Sequence, residues 1–227
     1  MNEEFAGILM RLVHDVNNPL AVVLTNLRYL ADKIEDGDLS DAASESLVSA
    51  QRTSRMLTDA ADLGRLAKNS YAIERRPIDL AELAPVVYEA TVPVWHRREL
   101  KIELPALEIK TDPALLGRSL INIADHCLAR TPAGGHTLLR ARDEEDAVCI
   151  EFLDQALPFP PGHLASFLCQ DLPEITGRGE GFRNDQGIGL YFAGQAARAL
   201  GAQVAILSPG LAGTGLTFQL RFPRGAE

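Results

Sequence analysis

His14, Asp15 and Asn18 stand within about one helical turn of each other in the segment His14-Asp15-Val16-Asn17-Asn18-Pro19-Leu20. Residues four apart share a helix face, so Asn18 lies beside His14, where its amide can orient a water or a phosphoryl oxygen near the ring. Asp15 is placed to accept the Nδ1 proton, which leaves the other imidazole nitrogen free for in-line attack on phosphorus. Neutral imidazole is the attacking form, and histidine is the side chain that offers it near neutral pH. Pro19 removes one backbone hydrogen bond and can bend the helix just past this group. The chemistry these residue types support is uptake and release of a phosphoryl group. The competing reading is an ordinary half-exposed helix histidine.

A helix must hold these residues, and the sequence supplies one. Phe5, Leu9, Leu12, Val16, Leu20, Val23, Leu27 and Leu30 recur in steps of three and four, the period of an amphipathic helix. The pattern stops at Glu35-Asp36-Gly37-Asp38, where Gly37 suits a C-terminal cap and Asp38 or Ser40 can start the next helix. Ala43, Leu47, Ala50, Ser54, Leu57 and Ala61 then predict a second helix, so residues 1–70 read as an antiparallel hairpin. Two helices cannot surround their own stripes, and no third helix follows before about Asn69. Pairing of two copies through residues 1–70 into a four-helix bundle buries that surface. Packing of the hairpin on the rest of its own chain is the alternative.

Arg75-Arg76-Pro77 breaks the helical period and marks a domain boundary, with a second domain over 71–227. There the patterning predicts helices over 81–92, 112–129 and 188–200, and strands over 100–104, 106–111, 137–141, 147–153, 204–207 and 216–222. These elements make an α+β sandwich. Residues 155–186 carry Pro158, Pro160, Pro161, Gly162, Pro173, Gly177, Gly179 and Gly181, which predicts a long loop of the kind that serves as a lid.

Composition narrows the classes of function. Of 227 residues 46% are hydrophobic, enough to fill real cores. The formal net charge of -9 speaks against a nucleic-acid surface, which needs clustered cations. The adjacent basic pairs Arg75-Arg76 and Arg97-Arg98 are too short to supply one. No apolar run approaches the ~20 residues of a membrane span, and the N-terminus is acidic where a secretory signal is basic, so the expectation is a cytoplasmic protein. Cys127, Cys149 and Cys169 lack metal-ligand spacing and read as reduced and structural. His96, His136 and His163 read as surface or loop residues, and Trp95 as a core or interface residue.

The segment from His14 to Leu20 resembles the H-box of bacterial sensor histidine kinases, in which a phosphoacceptor histidine precedes an acidic residue, an Asn or Thr, and a proline. The resemblance implies that His14 accepts phosphate, Asp15 is its general base, and Asn18 assists transfer and dephosphorylation. It also makes the hairpin a dimerisation and histidine-phosphotransfer domain. The rest of the chain is similar to the family's ATP-binding domain, of the Bergerat type, in the same order of motifs. Arg76-Pro77-Ile78-Asp79-Leu80 is followed by the asparagine box at Leu120-Ile121-Asn122-Ile123-Ala124-Asp125-His126. Asp154 corresponds to the aspartate that recognises the amino group of adenine. Gly187-Ile188-Gly189-Leu190 corresponds to a glycine box at a helix start, where backbone N–H groups cradle phosphate. Gly213-Thr214-Gly215-Leu216-Thr217 corresponds to the closing glycine box.

Departures from the family pattern fall in this second domain. Asn122 is retained, but His126 replaces the second asparagine, a magnesium ligand, and imidazole is a poor donor for so hard a cation. The phosphate-side basic and aromatic residues are replaced by Ala129 and Arg130, of which Arg130 offers partial compensation. Ala156 and Pro158 replace glycines after Asp154, adding side chains where backbone must approach adenine. The expected function is therefore a two-component phosphorelay protein that exchanges phosphate between His14 and receiver-domain aspartates. Its partner is a response-regulator receiver domain, and phosphotransfer itself needs no cofactor. An intact H-box, an eroded ATP site and no sensor domain ahead of residue 1 support that expectation. One alternative is a soluble histidine kinase that still uses ATP and Mg through Asn122, Asp154 and the Gly187 loop. Another is a non-catalytic dimeric scaffold that docks a response regulator.

Overall fold

The computed structural model describes residues 3–35, 37–95, 97–158 and 188–224, with side chains from Leu12 onward. The chain divides into two compact units, Met1–Tyr71 and Ala72–Glu227. Cys169, His96, His163, Gly187 and nearly all of the expected loop over 155–186 lie outside the described residues.

The first unit is a hairpin of α1 (Glu3–Lys33) and α2 (Gly37–Ala67). Helix α1 runs through Pro19 without a break. Gly37 is not the cap of α1, as its type suggests, but the first residue of α2. The apolar stripe on α1 also resolves into two. Val13, Leu20, Leu24, Leu27, Ala31 and Ile34 are buried or half-buried, in steps that match Ala43, Leu47, Ala50, Ser54, Leu57 and Ala61 on α2. Beside that seam Leu12, Val16, Val22, Val23, Tyr29 and Leu30 are exposed. Sequence periodicity merged the two rows because residues one position apart differ by only about 100° around the axis.

The second unit is an α/β sandwich. Its strands are β1 (Arg76–Asp79), β2 (Glu99–Glu103), β3 (Glu108–Thr111), β4 (His136–Asp143), β5 (Ala147–Leu153), β6 (Gln203–Leu207) and β7 (Thr217–Pro223). Among the described residues its helices are α3 (Leu83–Thr91), α4 (Pro113–Arg130) and α5 (Ile188–Ala199). Five strands form one mixed sheet in the order β2-β4-β5-β7-β6, with β2 and β4 parallel and the other pairs antiparallel. Strand β1, which helical periodicity treats only as a boundary, pairs antiparallel with β3 in a separate two-stranded sheet. Proline is tolerated in so short an edge strand. The helix expected over 81–92 is shorter, flanked by single 3₁₀ turns at Leu80–Glu82 and Val92–Val94. Pro93 lacks the N–H that would continue α3. His136 opens a strand rather than a loop.

Helix α4 carries much of the site and is firmly anchored. Asp112 caps it, accepting from the Leu115 N–H at 3.0 Å and from the Glu74 N–H at 3.0 Å, and Pro113 follows in the first turn, where its missing donor costs nothing. At the other end Thr131 donates its hydroxyl to the Cys127 carbonyl at 2.8 Å. Leu116, Leu120 and Leu128 of α4 and Phe192, Ala193, Ala196 and Ala197 of α5 are buried with Leu139, Ile150, Phe152, Phe218 and Leu220 of the sheet. Alternation along β5 turns Cys149 and Glu151 to the opposite face. There Glu151, with no exposed surface, accepts from Arg140 at 2.8 Å, Arg142 at 2.6 Å and Gln219 at 2.7 Å.

Burial pushes the Glu151 carboxyl up, but the bonds from Gln219, Arg140 and Arg142 outweigh it, and the group titrates below its ordinary value. A depressed carboxylate contributes stability that is present above its unfolded pKa and is lost as pH falls through its folded one. The contribution of Glu151 is therefore full above pH about 5 and fades below about 4.3. Glu151→Gln is expected to lower unfolding free energy at pH 7 by about 1.5–3 kcal/mol, the value of hydrogen bonds to a charged group. In denaturant titrations at several pH values, the gap between variant and parent should narrow toward pH 3. An unchanged gap would refute this account.

Candidate functional site

On α1 the His14 side chain is 75% exposed, and its Nδ1 lies 3.2 Å from Oδ1 of Asp15, itself 77% exposed. With the carboxylate on Nδ1, the tautomer that carries the proton there is favoured, and Nε2 holds the lone pair. Val13, 4% exposed, faces inward one position earlier, so the α1 turn is anchored on one side and presents His14 on the other. Asn18 is exposed one turn further on the same helix. The arrangement offers a nucleophilic nitrogen to an approaching protein surface and a carboxylate that retains the ring proton.

In the second unit Asp154 ends β5 and is 2% exposed. Its Oδ1 accepts from the Leu216 N–H at 2.8 Å and the Ala156 N–H at 3.1 Å. Its backbone N–H donates to the Leu216 carbonyl at 3.1 Å. Gly215 holds a positive φ of 61°, and a Cβ there would collide with the Asp154 carbonyl and with Oδ1. A residue with a side chain cannot occupy that place without shifting the backbone. Gly213 also has a positive φ, 78°, but open space around it. The turn folds back on itself through bonds from the Gly210 N–H to Thr214 and Gly215 and from the Leu211 N–H to the Thr217 hydroxyl oxygen. That turn delivers the Leu216 N–H to the carboxylate.

Arg130, expected on the phosphate side, meets Asp154 in this fold. From the last residue of α4 its Nε lies 3.5 Å from Oδ2 of Asp154, and its guanidinium donates to the Leu157 carbonyl at 2.6 Å. The two side chains are 13% and 0% exposed. A helix-terminal arginine reaches the nearest buried carboxylate because an unpaired charge there is costly. Burial pushes the Asp154 carboxyl above the usual range, against the lowering effects of the Leu216 N–H, the Arg130 charge and the Ala156 N–H. Cys127, one turn before Arg130, is buried, and burial followed by the Asp154 charge pushes its thiol well up.

Asn122 and Gly189 meet at a second point. The Asn122 amide donates to the Arg118 carbonyl at 3.0 Å, and its Oδ1 lies where a Cβ on Gly189 would be. His126 is 5% exposed and packs edge-on against Phe218, with ring centroids 5.5 Å apart. It is a core side chain, turned from solvent. Among the described residues, no group of three or more His, Cys, Asp or Glu is placed to hold a metal. The predicted residues thus fall into three groups: His14 with Asp15 and Asn18 on α1, Asn122 with Gly189, and Asp154 with Gly215 and Arg130.

Two participants escaped the sequence reading, and a third, Trp95, was read without its bonding partners. The Leu157 carbonyl binds Arg130, and backbone acceptors leave no sequence signal. Arg118 lies over the Phe192 ring at 4.8 Å, a contact between α4 and α5 that no local spacing encodes. Trp95 donates its indole N–H to Asp125 at 2.9 Å, and Arg98 lies 5.2 Å from its ring centroid, which gives the tryptophan a bonding role at the rim of the sandwich.

No family model matches the chain. Sensor histidine kinase CusS of Escherichia coli K12 is 23% identical over 203 residues, covering 87% of this chain and 42% of the relative. The chain therefore spans less than half the length of that protein. Among solved structures, full-length ShkA in complex with AMPPNP superposes with a TM-score of 0.65 at 23% identity, covering 96% of this chain and 45% of ShkA. The catalytic domain of histidine kinase ThkA superposes with a TM-score of 0.54 at 18% identity, covering 66% of this chain and 98% of that domain. Among the described residues no helix is long and apolar enough to cross a membrane. The chain is thus similar in sequence, over most of its length, to a bacterial sensor histidine kinase, and it shares the α+β fold of solved histidine kinases.

Proposed function

We propose that this protein is a two-component phosphorelay carrier in which His14 takes a phosphoryl group from one receiver-domain aspartyl phosphate and passes it to another. The observation that carries the reading is the exposed imidazole of His14 with the Asp15 carboxylate 3.2 Å from Nδ1. In the uptake step Nε2 attacks phosphorus and forms an N–P bond. The P–O bond of the acyl phosphate breaks, and the receiver carboxylate leaves with the electron pair. The ring proton stays on Nδ1 in its bond to Asp15, so the cation that develops is held beside an anion. Transfer to the next receiver reverses each of these changes. Asn18, one turn along, is placed to bond a phosphoryl oxygen or a hydrolytic water.

ATP with Mg fits the described residues poorly. Oδ2 of Asp154 faces a guanidinium, and His126 at the position of a metal-ligating asparagine is buried against Phe218. No step is therefore routed through nucleotide. The retained Asn122, Asp154 and Gly215, and a neighbour solved with AMPPNP, favour ATP-driven labelling of His14 as the second reading. Partnering follows from the exposed row Leu12, Val16, Val23 and Leu30 on α1. A second copy covers it through residues 1–70 and completes a four-helix bundle.

Mixing the protein with a radiolabelled, phosphorylated receiver domain is expected to give acid-labile label on the chain. His14→Ala should abolish that label. Asp15→Asn should slow uptake by about 100-fold, the scale of losing one electrostatic partner of the charge that develops in the transition state. Label appearing from ATP alone would establish the kinase reading instead, and full cellular signalling by His14→Ala would establish a scaffold. Light scattering should give twice the 24.6 kDa chain mass. Val23→Glu with Leu30→Glu should shift that mass to the monomer, and a monomeric parent protein would refute the pairing.

A further inference from the structure

We propose that Arg130 is an internal ligand of Asp154, occupying the acceptor position that a nucleobase amino group would use and thereby keeping this site closed to nucleotides. The proposal deepens the phosphorelay reading, since it supplies the physical reason why His14 would draw on an acyl phosphate rather than on ATP.

The two oxygens of Asp154 have different fates. Oδ1 is consumed by fixed backbone donors, the Leu216 and Ala156 N–H groups, and Gly215 permits no slack behind it. Oδ2 is the acceptor left for a mobile donor, and Arg130 faces it at 3.5 Å. Arg130 is held there from its other side as well, by the Leu157 carbonyl at 2.6 Å. That second bond makes the guanidinium a bridge from the end of α4 to the chain just beyond β5, rather than a side chain that swings freely. An incoming ligand must break both contacts and leave a buried carboxylate and a cation to find new partners. A neutral amino donor replaces neither the charge nor the second bond. Apparent affinity falls by the fraction of molecules in which Arg130 has left its place.

The test uses the full chain and AMPPNP with magnesium in titration calorimetry. The parent protein is expected to give no heat at millimolar ligand. Arg130→Ala should bind, with affinity raised by about tenfold or more over the parent, as the competent fraction rises toward one. Adding Asp154→Asn to Arg130→Ala should remove that gain. Arg130→Met, which keeps the stem but has no donor, takes the place of the alanine variant if thermal melting shows the latter unfolded. Parent binding as tight as that of the variants would overturn the proposal. So would variants that melt normally yet stay silent, or a gain that survives Asp154→Asn. Uptake of label by His14 in the parent protein, measured separately from a phosphorylated receiver, reports on the phosphorelay reading alone.

Discussion

A buried carboxylate at the end of a central strand sets the terms for the second unit. Asp154 is almost wholly removed from water, and an ionised group in that position must be surrounded by donors or neutralised. The fold answers with the Leu216 and Ala156 N–H groups, with a glycine whose left-handed conformation lets the backbone close over the carboxylate, and with a guanidinium from the end of α4. The turn at 208–216, the pairing of β5 with β7 and the length of α4 all converge on that one group. A change in any of them alters how the charge is met.

The two units treat their chemistry in opposite ways. His14 and Asp15 stand in solvent on an anchored helical turn, where local sequence alone decides their relation and a partner can reach them. Asp154, Arg130 and Asn122 are bonded inward, to backbone or to each other. Oδ1 of Asp154 is met by two backbone N–H groups and Oδ2 only by a guanidinium at 3.5 Å, whereas the exposed imidazole of His14 engages a single neighbouring carboxylate through one ring nitrogen.

Legibility in the sequence tracked the range of the interactions. The hairpin, helix α4 and its Asp112 start, and the core strands were readable because periodicity and caps are local signals, and His14 with Asp15 was readable for the same reason. Strand β1 was not, since Arg76–Asp79 is a strand only by pairing with β3 about 30 residues on. The two rows on α1 merged because a period does not say which of two adjacent stripes meets α2. The pairing of Arg130 with Asp154 was not readable: the identity of a helix-terminal residue is local, but its partner lies 24 residues away, and a long flexible side chain reaches whichever buried charge the fold brings near. The asymmetry between Gly215 and Gly213 was hidden as well, because it depends on what stands behind each glycine.

Two carboxylates three residues apart show why Asp154 rather than its neighbour is the group with spare capacity. Glu151 has no exposed side-chain surface, yet three side-chain donors converge on it and its carboxyl is held below the ordinary range. The Asp154 side chain also has no exposed surface, but its donors are two backbone N–H groups and one guanidinium at 3.5 Å, and burial prevails, so its carboxyl is pushed up. Asp154 lies deeper in the protein than Glu151, so its desolvation is heavier, and its donors are also fewer and less close. Glu151 is a finished ion cluster that fastens the open face of the sheet. Asp154 is under-solvated by its own chain, and an under-solvated buried acceptor is the physical signature of a group that takes a further donor. The identity of that donor, a bound ligand or a side chain such as Arg130, decides whether the same fold reads nucleotide or excludes it.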